Sequence, residues 1–328
     1  MEKKSQTKLI IQIPCYNEAE TIGITLDALP REVPGVDIVE WLIIDDGSTD
    51  NTIEVARQHG VVHFVRSRTN RGLAVAFMRG LDACIRMGAD IIVNTDADNQ
   101  YYAGDIEKLI APILNGEAEI VVGARPIDDI EHWSFIKKIL QKVGSRIVRM
   151  ASGTRITDAP SGFRAMSRDA AMRLNVFGNY TYTLETIIQA GRKNIPITSV
   201  PIRTNPDLRP SRLMTGIPDY LRRSLVTIVR IFMTYRPFRF FAIPGLIIFI
   251  VGTLPTGRFL WYYALGQGSG NIQSLLYSVL FLGSGAALLV TGLIADLIGV
   301  NRQLLEDIRW RIRELETRQA QARQDKQE

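Results

Sequence analysis

The chain has 328 residues, 46% apolar and 22% charged, and its 39 Lys and Arg against 34 Asp and Glu leave a formal charge of +5. At roughly 150 residues per domain this length holds about two units, which excludes a mini-protein, and the apolar share excludes wholesale disorder. Cys15 and Cys84 are the only cysteines, so neither a disulfide framework nor a cysteine zinc site is expected, and a reducing setting fits.

The polar Met1 to Lys8 segment leads straight into Leu9-Ile10-Ile11-Gln12-Ile13 and does not read as a signal peptide. Short β-branched runs at Leu9 to Ile13, Ile38 to Ile44, Val61 to Val65, Asp90 to Asn94, Glu119 to Val122 and Ile197 to Ile202 read as strands, with helical patterns between them. That alternation predicts an α/β fold, a largely parallel sheet with helices on both faces and a ligand crevice at the carboxyl ends of the strands.

The segments after those strands are polar and acidic: Pro14-Cys15-Tyr16-Asn17-Glu18, Asp45-Asp46-Gly47-Ser48-Thr49-Asp50, Thr95-Asp96-Ala97-Asp98-Asn99-Gln100 and Gly123-Ala124-Arg125. No Gly-x-Gly-x-x-Gly follows a strand and no P-loop is present, so a glycine cradle for phosphates is not indicated. Asp96 and Asp98 at alternate positions, with the Gln100 amide oxygen, offer hard ligands to magnesium or manganese; the same pair would equally serve to cap a following helix. His59, His63 and His132 show no metal-type spacing.

Further on, Ile217, Tyr220, Leu221, Leu225, Ile228 and Phe232 recur at helical spacing opposite Arg222, Arg223 and Arg230, the pattern of an amphipathic helix at a membrane interface or packed on the soluble part. Phe240 to Gly257 carries no charge; Arg258 interrupts, apolar residues resume to Tyr263, and a second uncharged run spans Ile272 to Ala295. Two transmembrane helices in a hairpin are expected, with Arg258 snorkelling. The connector Gly266 to Asn271 is uncharged while arginines flank both outer ends, which predicts an integral membrane protein with the α/β part and both termini cytoplasmic. Gly283-Ser284-Gly285-Ala286-Ala287 reads as a helix-packing patch. Leu305, Ile308, Ile312 and Leu315 form a short heptad-like pattern that hints at a homo-oligomer. The organisation expected is a catalytic domain over 1–212, amphipathic interface helices over 213–238, two membrane helices over 239–300 and a C-terminal helix over 301–328.

Taken in order, Pro14-Cys15-Tyr16-Asn17-Glu18, Asp45 to Asp50, Asp96-Ala97-Asp98-Asn99-Gln100 and Ser161-Gly162-Phe163-Arg164 resemble family 2 glycosyltransferases, and within them the polyprenyl-phosphate sugar synthases of the dolichyl-phosphate mannose synthase and bactoprenol glucosyltransferase type. The resemblance runs from about Leu9 to Leu213 and implies a GT-A type nucleotide-sugar-binding domain. It implies a nucleotide-sugar pocket at Pro14, Tyr16, Glu18, Asp46, Asp96, Ala97 and Arg125, and magnesium or manganese at Asp96, Asp98 and Gln100. Asp98, Arg125, Asp158 and Arg164 are the implied catalytic set, with Asp158 either catalytic or orienting Arg164. For the acceptor phosphate it points to Ser161, Arg164, Arg203, Arg209 and Arg212. Where many relatives carry Arg-x-x-Gly-x-Ser-Lys, this chain has Arg203 to Arg212 without the glycine and with Arg212 in place of the lysine.

The implied reaction is an inverting transfer of a hexose from a nucleotide sugar, of the UDP-glucose or GDP-mannose type, to an undecaprenyl or dolichyl phosphate at the lipid bilayer. A lipid phosphate is already ionised, so a general base is less needed than for a hydroxyl. The competing readings are a processive polysaccharide synthase, for which Arg309-Trp310 lies outside the catalytic domain with Glu306 at the glutamine position, a diacylglycerol glycosyltransferase, and a non-enzymatic scaffold on anionic lipid. Nucleic acid is not an indicated partner, because the basic excess tracks the membrane flanks.

Overall fold

The computed structural model describes residues 6–127, 135–176, 182–206, 226, 229–230 and 233–324. Two compact units emerge, Met1–Ser224 together with Asp307–Glu328, and Leu225–Glu306.

The first unit is an α/β domain. Its strands are β1 (Lys8–Cys15), β2 (Ile38–Asp45), β3 (His63–Arg66), β4 (Ile91–Asn94), β5 (Ile120–Ala124), β6 (Arg164–Ser167) and β7 (Ile197–Pro201), in the sheet order β3-β2-β1-β4-β6-β5-β7. The helices are α1 (Ile22–Ala28), α2 (Thr52–Gln58), α3 (Leu73–Arg86), α4 (Ile106–Leu114), α5 (Phe135–Ser152), α6 (Arg168–Arg173) and α7 (Thr183–Arg192). Central strands are covered on both faces, hence their unbroken apolar sequence. Leu9, Ile11, Ile13, Ile43 and Val93 face a core with Ile22, Leu26, Ile53, Ile106 and Leu109, while Ile10, Leu42, Ile44 and Ile92 face Phe77, Leu81, Ala170 and Ala190. The sheet is parallel except for β6, which runs antiparallel to both β4 and β5. That strand is absent from the sequence-based reading: it is four residues long and opens on Arg164, a residue that strand patterns exclude. β1 pairs with β2 on one side and β4 on the other, so chain connections diverge between β1 and β4 and open a crevice at their carboxyl ends.

The expected tail boundary at residue 300 is not a structural break. The second long helix, α9 (Ile272–Gln324), continues through it, and its later part packs on the α/β domain. Arg313 Nη2 meets Asp82 Oδ1 at 2.7 Å, Arg313 Nη1 donates to the Met172 and Leu174 carbonyls, and Trp310 packs against the core beside α3 and α6.

α8 (Pro237–Ala264) and α9 each contain an apolar window long enough to cross a membrane. Most of their apolar side chains are exposed, Leu254, Trp261 and Leu276 among them, which fits lipid around them better than a protein core. They pack antiparallel through small residues, as the Gly283 to Ala287 patch suggests: a Cβ on Gly285 would stand 2.7 Å from Phe249 N, and one on Gly245 2.9 Å from Leu288 Cβ. Thr256 and Ser278 share a hydrogen bond across the pair. The amphipathic pattern from Ile217 to Phe232 lies almost wholly outside the described residues.

Candidate active site

The loops at the carboxyl ends of β1 and β2 brace each other. Asn17, at φ 54°, donates from its backbone N–H to Ser48 Oγ and accepts from Thr49 N; Glu18 N donates to Thr52 Oγ1. Gly47, at φ 82°, closes the second loop so tightly that a Cβ would lie 2.8 Å from the Thr69 carbonyl carbon. Asp45 is buried and caps this turn, accepting from Ser48 N at 2.9 Å. Asp46 is also buried, and both its oxygens accept backbone N–H groups from Arg71 and Gly72, so its carboxylate shapes the wall formed by the 70–72 loop. Tyr16 is exposed beside them. Thr25 of α1 donates to the Ala97 carbonyl at 2.9 Å and props the acidic loop after β4.

In that loop the Asp98 carboxylate accepts from Gln100 N at 3.2 Å. Removal from water and the adjacent Asp98 charge push the Asp96 carboxyl up to about 7, against the lowering pull of Arg125 and a hydrogen bond with Tyr101. A half-buried pair of neighbouring carboxylates that repel each other is suited to a divalent cation. Among the described residues no group of three or more His, Cys, Asp or Glu is placed to hold a metal ion, so Asp96 and Asp98 do not form part of an all-protein cage. The segment is tied down by Asn205, which donates to the Asn99 carbonyl at 2.8 Å.

Gly162 packs against this pair: a Cβ there would stand 3.0 Å from Asp96 Oδ2, and its N–H donates to Tyr101 Oη at 2.9 Å. Tyr101 stacks on Phe163, while Asn94 donates to the Gly162 carbonyl and to Tyr182 Oη. Tyr101, Asn94 and Tyr182 are absent from the sequence-based site. Only Tyr101 carried a signal, its place directly after Gln100.

Arg164 departs from expectation. It is fully buried, with Nε donating to Ser161 O at 2.8 Å, Nη2 to Ala159 O at 2.7 Å, and Nη1 to Thr183 O at 2.7 Å and to Thr186 Oγ1. Burial lowers its pKa to about 10, which leaves it charged near neutral pH. Two of these bonds hold the 159–161 turn and two reach the start of α7, so the arginine clamps these segments together from a fully buried position. Ser161, expected on the acceptor phosphate, is likewise fully buried, and its Oγ has no hydrogen-bond partner among the described residues. Asp158 does not orient Arg164 but grips Arg125, and its Oδ1 also accepts from Gln141 at 2.7 Å. Both Asp158 oxygens are thus engaged by Arg125 and Gln141. Arg203 forks onto Asp105 and lies 4.0 Å from the Tyr102 ring centroid, which anchors the 203–205 segment instead of offering the fork to a phosphate. Arg209 and Arg212 lie outside the described residues.

Cations do gather elsewhere. A 660 Å³ cleft is lined by Arg125, Ile127, Lys142, Arg146, Arg149 and Thr157 among others. The signal in the sequence was the helix Phe135–Ser152 itself, with five Lys and Arg and no acidic residue.

Residues 10–174 match the Glycosyl transferase family 2 domain, half of the chain, and the protein belongs to that family. It is 31% identical over 213 residues to the UDP-N-acetylglucosamine–dolichyl-phosphate N-acetylglucosaminyltransferase of Methanococcus voltae, covering 58% of this chain and 83% of that one. Against the undecaprenyl-phosphate mannosyltransferase of Micrococcus luteus the identity is 27% over 221 residues, 64% of this chain and 89% of the other. The fold is shared with glucosyl-3-phosphoglycerate synthase of Mycobacterium tuberculosis, solved with Mn2+, UDP-glucose and phosphoglyceric acid, at a TM-score of 0.55 and 21% identity over 70% of this chain and 80% of that one. The domain is therefore a GT-A type glycosyltransferase.

Proposed function

We propose that the protein is a membrane-bound, inverting glycosyltransferase that moves a hexose from a nucleotide sugar, of the UDP-glucose or GDP-mannose type, to a polyprenyl phosphate. The observation that carries the reading is the pairing of an acidic loop, Asp96 and Asp98, with a basic cleft at Arg125, Lys142, Arg146 and Arg149, one suited to a cation-bound diphosphate and the other to an anionic acceptor. The two relatives named for lipid-phosphate acceptors support the same class.

Asp96, Asp98 and the Gln100 amide oxygen would hold magnesium or manganese, which when bound neutralises charge on the departing diphosphate. Pro14, Tyr16 and Glu18 border the nucleotide, with Asp46 fixing the neighbouring loop. Arg125, held by Asp158, presents a fixed cation between the carboxylate pair and the cleft. An acceptor phosphate oxygen forms the bond to the anomeric carbon as the bond to the diphosphate oxygen breaks and the nucleoside diphosphate leaves with the electron pair. No proton has to be removed from an ionised phosphate, which agrees with both Asp158 oxygens being engaged. The arginines that flank the two apolar helices support a catalytic domain and both termini on the cytoplasmic side.

The test is transfer by the purified full chain from a panel of labelled nucleotide sugars, with magnesium or manganese, into organic-extractable polyprenyl phosphate, beside a chelator control. Chelator-sensitive label in polyprenyl phosphate is the expected result. Label only in diacylglycerol or in polymer overturns it in favour of the corresponding transferase, and no label with any donor overturns it in favour of a scaffold.

A further inference from the structure

The outward face of α5 is unlike the rest of the domain surface. Gln141, Ser145, Val148, Ala151 and Ser152 are buried, and the Ser145 hydroxyl accepts from Ala159 N, so one side of the helix belongs to the domain. On the opposite side Ile139, Val143 and Met150 are 43%, 47% and 63% exposed. Their spacing of four and seven residues lines them up as one stripe. Arg146 stands within that stripe, and Lys138, Lys142 and Arg149 follow one flank of it. No acidic residue occurs anywhere in Phe135–Ser152.

An apolar stripe whose own helix carries Lys and Arg and no acidic residue matches a negatively charged bilayer: apolar side chains enter the acyl boundary while Lys and Arg remain among the headgroups. The apolar windows of α8 and α9, each long enough to cross a membrane, make a bilayer the available surface. We propose that α5 is a membrane-surface helix that docks on anionic phospholipid. The proposal deepens the reading above and rests on it for its purpose: α5 supplies Lys142, Arg146 and Arg149 to the basic cleft, so docking it brings the acceptor side of the site to headgroup level. The charge match is lipid-selective in sign, so the contact weakens with salt.

Cys15 and Cys84 are buried, so Met150→Cys can be labelled with an environment-sensitive fluorophore in the full chain. The chain is placed in nanodiscs of phosphatidylcholine with or without phosphatidylglycerol, each carrying nitroxide-headgroup lipid. The expected result is quenching several-fold stronger with phosphatidylglycerol than without it, reduced by salt and by adding Lys138→Gln and Ile139→Asn, two positions outside the cleft. Those two substitutions should leave transfer to a detergent-dispersed acceptor unchanged, so a loss of lipid contact and a loss of the transferase reading are told apart. Equal quenching in both lipids, no quenching in either, or an emission that follows protein concentration instead of lipid composition overturns the proposal, the last giving the face to a second copy of the chain.

Discussion

Asp158 and Arg125 form a closed fork, Nε to Oδ2 at 2.7 Å and Nη2 to Oδ1 at 3.0 Å, with side-chain exposures of 1% and 9%. A guanidinium held this way keeps a fixed direction that an ammonium cannot reproduce. Arg125→Lys should therefore keep the charge yet lower kcat for transfer by roughly 10- to 100-fold, with a smaller change in donor KM. Asp158→Asn should lower it to a similar extent, and the double variant should be no worse than either single one; additive losses would separate the two residues' roles.

Metal dependence should reside in the acidic loop. Asp98→Asn should lower transfer by on the order of a thousandfold while the thermal midpoint without metal stays that of the parent. Manganese with a nucleoside diphosphate should raise the midpoint of the parent and not of the variant, because only a state that binds ligand is stabilised by it. Parent-level transfer by Asp98→Asn would remove the metal assignment.

Arg164 predicts a stability defect rather than a kinetic one. Arg164→Met leaves the carbonyls of Ser161, Ala159 and Thr183 without their buried donor, at a cost of about 3 kcal/mol. Denaturant unfolding should show that loss, and residual folded enzyme should retain an acceptor KM near that of the parent.

Asp105 ties the 203–205 segment to the start of α4. Burial raises its pKa, but hydrogen bonds from Arg203 and Lys108 prevail and hold it at about 2, below the ordinary value near ~3.9. A carboxyl depressed on folding contributes stability in full above its unfolded pKa and loses it as pH falls through the folded one. Stability should thus decline between about pH 4 and pH 2, and Asp105→Asn should flatten that part of the stability–pH curve.

The hairpin has a tight crossing at Gly285, where any Cβ meets Phe249 backbone. Gly285→Leu should separate α8 from α9 and lower the thermal midpoint in detergent, whereas the same change at Gly283, which has open space around it, should have little effect.

Much of this was legible in the sequence because strands buried on both faces write continuous apolar runs, and because loops that follow parallel strands gather at one edge. The Asp96 and Asp98 loop was found that way. The misassigned residues share one cause: sequence shows charge but not burial. Arg164 and Asp158 look like surface chemistry in a motif, yet their partners are backbone carbonyls and an arginine more than thirty residues distant in the chain. β6 was hidden for the same reason, since a buried arginine at a strand start breaks the pattern that identifies strands. The basic face of α5 was visible in composition but acquires meaning only once its other face is seen to be buried.

The position of β6 also orders events during synthesis. β5 is made before β6, yet it joins the sheet only through β6, and β4 keeps an unpaired edge until Ser167 has left the ribosome. At about 5–20 residues per second, the interval from that point to the first apolar helix at Pro237 is on the order of ten seconds or less. A pause placed before Ser167 would therefore leave the β4 edge open to pairing with neighbouring chains.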